Sequence, residues 1–135
     1  RQSITQEFEY GCGIACFAFA LGISYKQAVS MLGSKQTNSN RFWIKDLVAA
    51  LNTAGHPYKS VYIKPRCHKG IYTEGTIVLL RRSKLYPSGH YLIRHNGQWM
   101  DPWINMNVSK DISLALSGFR TRLPGSPMYA VLPLI

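Results

Sequence analysis

The chain has 135 residues, a hydrophobic fraction of 46% and a formal net charge of +10. That length suits one domain with a real core, and that much apolar content argues against disorder. No apolar run reaches the roughly 20 residues needed to span a bilayer, and an odd count of three cysteines fits a reduced working state better than a disulfide scaffold.

Residues 1–10 are polar, carry no signal-peptide pattern and read as an extended lead-in that delivers Gln6. The chain opens on arginine, so the expectation is a single domain, residues 1–135, excised from a longer polypeptide. The apolar run of residues 12–21 predicts a buried first helix that Gly22 ends. Ser24 then caps a second helix, 25–32, closed by Gly33. The polar stretch 34–40 reads as a loop. A third helix is expected over residues 41–54, with Phe42, Leu47, Val48 and Leu51 on its apolar face and Gly55 behind it.

Beyond His56-Pro57 the pattern changes to strands at residues 58–64, 76–81 and 89–95, with 66–74 irregular. Asn96-Gly97 is a strong two-residue hairpin signal and joins 90–95 to 98–101. Counting outward from that turn pairs His95 with Gln98, Arg94 with Trp99, Ile93 with Met100 and Leu92 with Asp101. A helix over 109–116 and a closing strand over 128–134 complete the reading. Helices first and antiparallel strands later make an α+β domain.

Cys12 lies between Gly11 and Gly13 at the start of the first helix. Unpaired N–H groups and the positive end of the helix dipole favour a thiolate there, the nucleophilic form of cysteine. The two glycines let a substrate backbone approach. Gln6, six positions earlier, is placed to offer an amide donor beside the sulfur, as an oxyanion hole requires. Cys12 is also readable as a small buried hydrophobe. His90, just after Gly89, opens one hairpin strand and Asp101 ends its partner, two residues out of register and within diagonal reach. A carboxylate beside an imidazole fixes its tautomer, and that imidazole can take a proton from a thiol. Cys16, one turn after Cys12, reads as core and His95 as an exposed hairpin tip. Trp103 and Asn105 are placed to line a cleft. Cys67-His68, taken with Cys12 and Cys16, matches no zinc-site spacing, so neither metal nor cofactor is expected.

Gln6, then Cys12-Gly13 opening an apolar helix, then Gly89-His90-Tyr91 on a strand and Asp101-Pro102 after a short turn, resembles the papain-like peptidase domain of bacteriocin-exporting ABC transporters. Those domains cleave after a double-glycine leader. The resemblance spans nearly the whole chain. It implies a papain-like fold, with N-terminal helices packed on a C-terminal antiparallel sheet. It further implies that Cys12 is the nucleophile, His90 the general base and then acid, Asp101 its orienter and Gln6 the oxyanion donor, with Gly11, Gly13, Gly89 and Trp103 at the substrate. The fold is also similar to C-terminal toxin domains of contact-dependent inhibition and polymorphic toxin systems. That likeness implies a bacterial effector carried by a secreted or surface protein into a target-cell cytoplasm.

Residues 59–84 hold Lys59, Lys64, Arg66, Lys69, Arg81, Arg82 and Lys84 against Glu74 alone. Such a basic surface favours an acidic partner, either nucleic acid, anionic lipid or an acidic protein such as a cognate immunity protein. No RNA-binding signature accompanies it. Three functions stay open at this point. One is a cysteine hydrolase acting on a peptide or protein. The second is a nucleic-acid-directed toxin in which His90 works on phosphate, and the third is an inactive leader-binding module.

Overall fold

The structure is a computed structural model describing residues 1–33, 44–64 and 69–134. Among these, three α-helices precede and pack on a six-stranded antiparallel sheet, an α+β architecture. The helices are α1 (Cys12–Leu21), α2 (Tyr25–Leu32) and α3 (Ile44–Thr53). The strands are β1 (Tyr58–Tyr62), β2 (Ile77–Leu80), β3 (His90–His95), β4 (Gln98–Asp101), β5 (Gly118–Arg120) and β6 (Pro127–Pro133), in sheet order β1-β6-β2-β3-β4-β5. The loop expected over 34–40, the first turn expected of the third helix, and Cys67-His68 lie outside the described residues.

Helix α1 is apolar all round, which suits an element with protein on every side. Ile14 to Phe19 are all buried. Gly22 ends it in the left-handed region (φ 71), its N–H bonded to Ala18 and Phe19 carbonyls. Ser24 closes a capping box on α2, accepting from Gln27 N–H at 3.1 Å while Gln27 Oε1 accepts from Ser24 N–H at 2.9 Å. Leu47 and Leu51 turn α3 onto the same core, which meets the sheet through Tyr58, Ile77, Tyr91, Ile93, Met100 and Val131. The opposite face of the sheet carries a smaller cluster around Ile71, Leu80, Tyr86, Leu92 and Trp99. No single described helix is long and apolar enough to cross a membrane.

The Asn96-Gly97 turn has both residues at positive φ (49 and 77). The observed β3–β4 pairs are Ile93–Met100, Arg94–Trp99 and His95–Gln98, as turn chemistry predicts. Three expectations are corrected. No helix forms over 109–116; only a short 3-10 turn at Ile112–Leu114 does, because Asp111 bonds Ser113 locally and Asn105 pins Leu114 O and Leu116 N–H. Asn105 is used for that pinning and does not line the cleft. His95 is not an exposed tip: its ring is 15% exposed, packs on Phe19 at 5.1 Å and pairs with Glu74 at 2.7 Å. Strand β5 was not expected at all.

The lead-in is stitched to this sheet. Gln6 N–H donates to Pro102 O at 3.2 Å, and Thr5 and Ser117 exchange bonds through Thr5 Oγ1 to Ser117 Oγ at 2.8 Å and Ser117 N–H to Thr5 Oγ1 at 3.2 Å. Residues 1–10 therefore reach the end of the β3–β4 hairpin, where Asp101 stands.

Candidate active site

Asp101 ends β4 and pairs with Gly118 of β5, which puts Arg120 two residues along the same face. His90 is the equivalent diagonal neighbour on β3. Both reach the carboxylate: His90 Nε2 to Oδ1 at 2.7 Å, and Arg120 Nε to Oδ2 at 2.7 Å. Trp103 N–H adds a third bond, to Oδ1 at 3.0 Å. Arg120 is itself held through Nη2 to Ile104 O at 3.2 Å. His90 is 1% exposed and Asp101 fully buried.

Cys12 heads α1, which lies along β3. Its Sγ accepts from Tyr91 N–H at 3.4 Å, next to His90, and the sulfur helps raise the pKa of that imidazole. Asp101 occupies Nε2, so Nδ1 is the ring nitrogen left for the sulfur. The thiol is half-buried, whereas Cys16, one turn on, is completely enclosed and its own thiol is pushed well up by burial. Imidazole and carboxylate are thus hydrogen-bonded, with the sulfur held beside them by the next backbone N–H of β3.

The electrostatics follow from burial opposed by partners. Burial alone would lower the pKa of His90, but the bond to Asp101, the neighbouring Cys12 sulfur and the charges of both push it up to about 9. Burial would likewise raise the Asp101 carboxyl, but the bond and charge of His90, the Trp103 N–H and Arg120 hold it below the ordinary carboxylate range. Both directions favour an imidazolium beside a carboxylate.

Tyr86 completes the imidazole's surroundings. Its ring stacks on His90 with centroids 4.5 Å apart and planes 2° from parallel. The loop before β3 is wound around it, with Ser83 N–H and Gly89 N–H both donating to Tyr86 O at 3.0 Å. Gly89 sits at φ 79, and a Cβ there would meet Leu80 O at 2.9 Å, so the turn delivering His90 needs glycine.

These residues line a cleft of about 570 Å³ with Gln6, Cys12, Gly89, His90 and Trp103 in its wall. The wall also carries Lys45, Arg82 and Lys110 and, against them, Glu9. Gly11 and Gly13, expected at the substrate, are buried and do not line it. Gly11 serves packing instead: a Cβ there would lie 2.0 Å from the Tyr25 hydroxyl. Gln6 reaches the cleft, but its Nε2 protons go to Phe8 O (3.0 Å) and Glu9 O (3.1 Å). The atom left over, Oε1, is buried without a partner. It is an acceptor, the opposite of what an oxyanion needs. Among the described residues no three His, Cys, Asp or Glu side chains converge as metal ligands would.

Three members of this arrangement escaped sequence reading. Arg120 lies on an unexpected three-residue strand, Tyr86 in a loop, and Tyr91 acts through its backbone. Only Tyr86, an aromatic four residues before His90 and just ahead of a proline and a glycine, left a trace in the sequence.

A scan against protein-family models finds no match to the chain, and a search of curated proteins finds none either. Among solved structures, the peptidase domain of Streptococcus ComA, a bifunctional ABC transporter involved in a quorum-sensing pathway, matches with a TM-score of 0.54. The match covers 98% of this chain and 96% of that one at 17% identity. At that identity the likeness is one of fold, and the chain shares a papain-like α+β architecture with a peptidase domain.

Proposed function

We propose that the chain is a cysteine peptidase or amide hydrolase in which Cys12 is the nucleophile, His90 the general base and then acid, and Asp101 the His90 orienter. The observation that carries this is a half-buried thiol and an imidazole in the wall of one cleft, the imidazole hydrogen-bonded to a buried carboxylate, on a fold shared with a peptidase domain. Cys12 Sγ attacks the carbonyl carbon while His90 takes the thiol proton. The imidazolium, steadied by Asp101, then protonates the leaving amine, and water attacks the acyl-enzyme by the reverse proton path. The Cys12 N–H, at the start of α1 where helix N–H groups lack intrahelical partners, is the backbone donor this reading assigns to the developing oxyanion.

The test is labelling by iodoacetamide and an electrophilic peptide probe across pH, alongside the Cys12→Ala variant. Labelling should fall on Cys12, faster than on a free cysteine, and Cys12→Ala should lose hydrolysis while keeping its melting point within a few degrees. Full activity in Cys12→Ala refutes the mechanism.

The net charge of +10, with Arg82 and Lys110 in the cleft wall, supports the more specific reading of a bacterial toxin effector. Such a domain is delivered from a secreted or surface protein into a target-cell cytoplasm and is restrained by an acidic immunity protein. The same charge supports a second reading, a nucleic-acid-directed toxin on this fold. That reading predicts RNA cleavage by the purified chain and binding that weakens steeply with salt; intact RNA counts against it. The fold likeness to a transporter's peptidase domain supports a third variant, leader processing, which cleavage of a double-glycine leader peptide tests.

A further inference from the structure

The sheet ladder stops one pair short beside Cys12, and the group left over is used there. Arg94 N–H donates to Thr76 O at 2.8 Å, so Arg94, Leu92 and His90 turn their backbone groups toward β2. The alternate residues of β3, Ile93 and Tyr91, turn theirs toward β4. Ile93 pairs with Met100, and by the same register Tyr91 stands opposite Pro102. Proline has no N–H to give the ladder, and β4 ends at Asp101. The Pro102 carbonyl, which continued pairing would set against the Tyr91 N–H, accepts from Gln6 N–H at 3.2 Å. Among the described residues the Tyr91 N–H thus has no strand partner, and it donates to Cys12 Sγ at 3.4 Å. This N–H directly follows His90 in the chain. The base that would take the thiol proton and the donor on the sulfur are therefore positioned by adjacent residues of one strand.

We propose that the Tyr91 backbone N–H is a catalytic donor that holds the negative charge of the Cys12 thiolate. The inference rests on the hydrolase reading. When the thiol proton passes to His90, the S–H pair stays on sulfur, and the bond from Tyr91 N–H becomes charge-assisted. Attack carries that pair into the new S–C bond and moves the carbonyl π pair onto oxygen, so the demand of the sulfur on the N–H falls. The demand returns once water has added to the acyl-enzyme. The S–C bond then breaks with its pair on sulfur, and the same N–H stabilises the departing thiolate. The donor acts on the thiolate population and on deacylation, apart from the oxyanion.

The probe is iodoacetamide, which reads the Cys12 thiolate through its alkylation rate across pH. Replacing Tyr91 by its α-hydroxy analogue turns the amide into an ester, which deletes the N–H and keeps the side chain. The groups whose charge reaches Cys12 are His90, Cys16, Tyr25, Tyr86 and the Tyr91 phenol. All are common to both proteins, so a difference between the profiles belongs to the N–H. The alkylation midpoint should rise by about one pH unit, and labelling well below it should slow roughly tenfold. The same exchange at Ile93, whose backbone faces β4, should lower stability and leave the midpoint in place. Should the Tyr91 ester fail to fold, NMR of the wild type decides. Capping Cys12 with iodoacetamide removes the charge, and the Tyr91 amide proton should then move upfield by more than those of Leu92 and Ile93. A midpoint unmoved by the Tyr91 ester, one moved equally by the Ile93 ester, or a Tyr91 resonance indifferent to capping overturns the assignment. If the midpoint depends on this N–H while no peptide or amide is cut, the donor to the thiolate stands and the hydrolase reading alone fails.

Discussion

Replacing Asp101 by asparagine keeps the shape of the side chain and removes its charge, which isolates what the carboxylate does for His90. The imidazole stands at about 9 against an ordinary 6.5, and at about 1.4 kcal/mol per pKa unit that difference corresponds to ~3 kcal/mol. Cys12 supplies part of it, so Asp101→Asn should lower His90 by more than one pKa unit. Because the burial remains, the value should end near or below 6.5. The folded pKa lies above the unfolded one. The stabilisation is therefore complete below pH 6.5 and drains away as the pH climbs through 9. The unfolding free energies of wild type and variant should differ most near pH 6, by on the order of 2–3 kcal/mol. The gap should narrow above pH 9 without vanishing, since the Asp101 bonds to Arg120 and Trp103 persist there. The measurements are NMR titration of the His90 ring and denaturant unfolding at each pH. An unchanged His90 midpoint, or a gap flat across pH, would refute the argument.

Arg120→Leu removes the bond to Asp101 and the one to Ile104; it should cost about 1–3 kcal/mol, as charge-assisted bonds do, and slow Cys12 labelling at neutral pH, both read on the same sample. Gly11→Ala drives a methyl into the Tyr25 hydroxyl and should cost about 1–3 kcal/mol. Adding Tyr25→Phe should recover much of that loss, and a double-mutant cycle without coupling would show that the ring moves aside. Tyr86→Phe removes a hydroxyl with no partner and should leave the melting point equal or higher. Tyr86→Leu should cost about 2–4 kcal/mol through the cavity it leaves, read as a lower denaturant midpoint.

What the sequence determined by itself is whatever near neighbours encode. The uniform apolarity of residues 14–19, bounded by glycines, specifies a buried helix with Cys12 at its head. Asn96-Gly97 demands positive φ at two adjacent positions, and that one turn sets the hairpin register that brings His90 and Asp101 to the same end. The α+β order and the meeting of His90 with Asp101 were legible for this reason. The folded chain alone decided what faces those groups from elsewhere. Strand β5 is three residues long, too short to show a period, so Arg120 cannot be seen approaching Asp101. Tyr86 stacks on His90 because a loop winds back on itself. Gln6 spends its amide protons on Phe8 and Glu9 because of the path the lead-in takes. Gly11 looked like substrate access and proved to be room for Tyr25. Partners that meet across a sheet or around a loop depend on where every other segment has packed, and periodicity and turn chemistry carry no record of that.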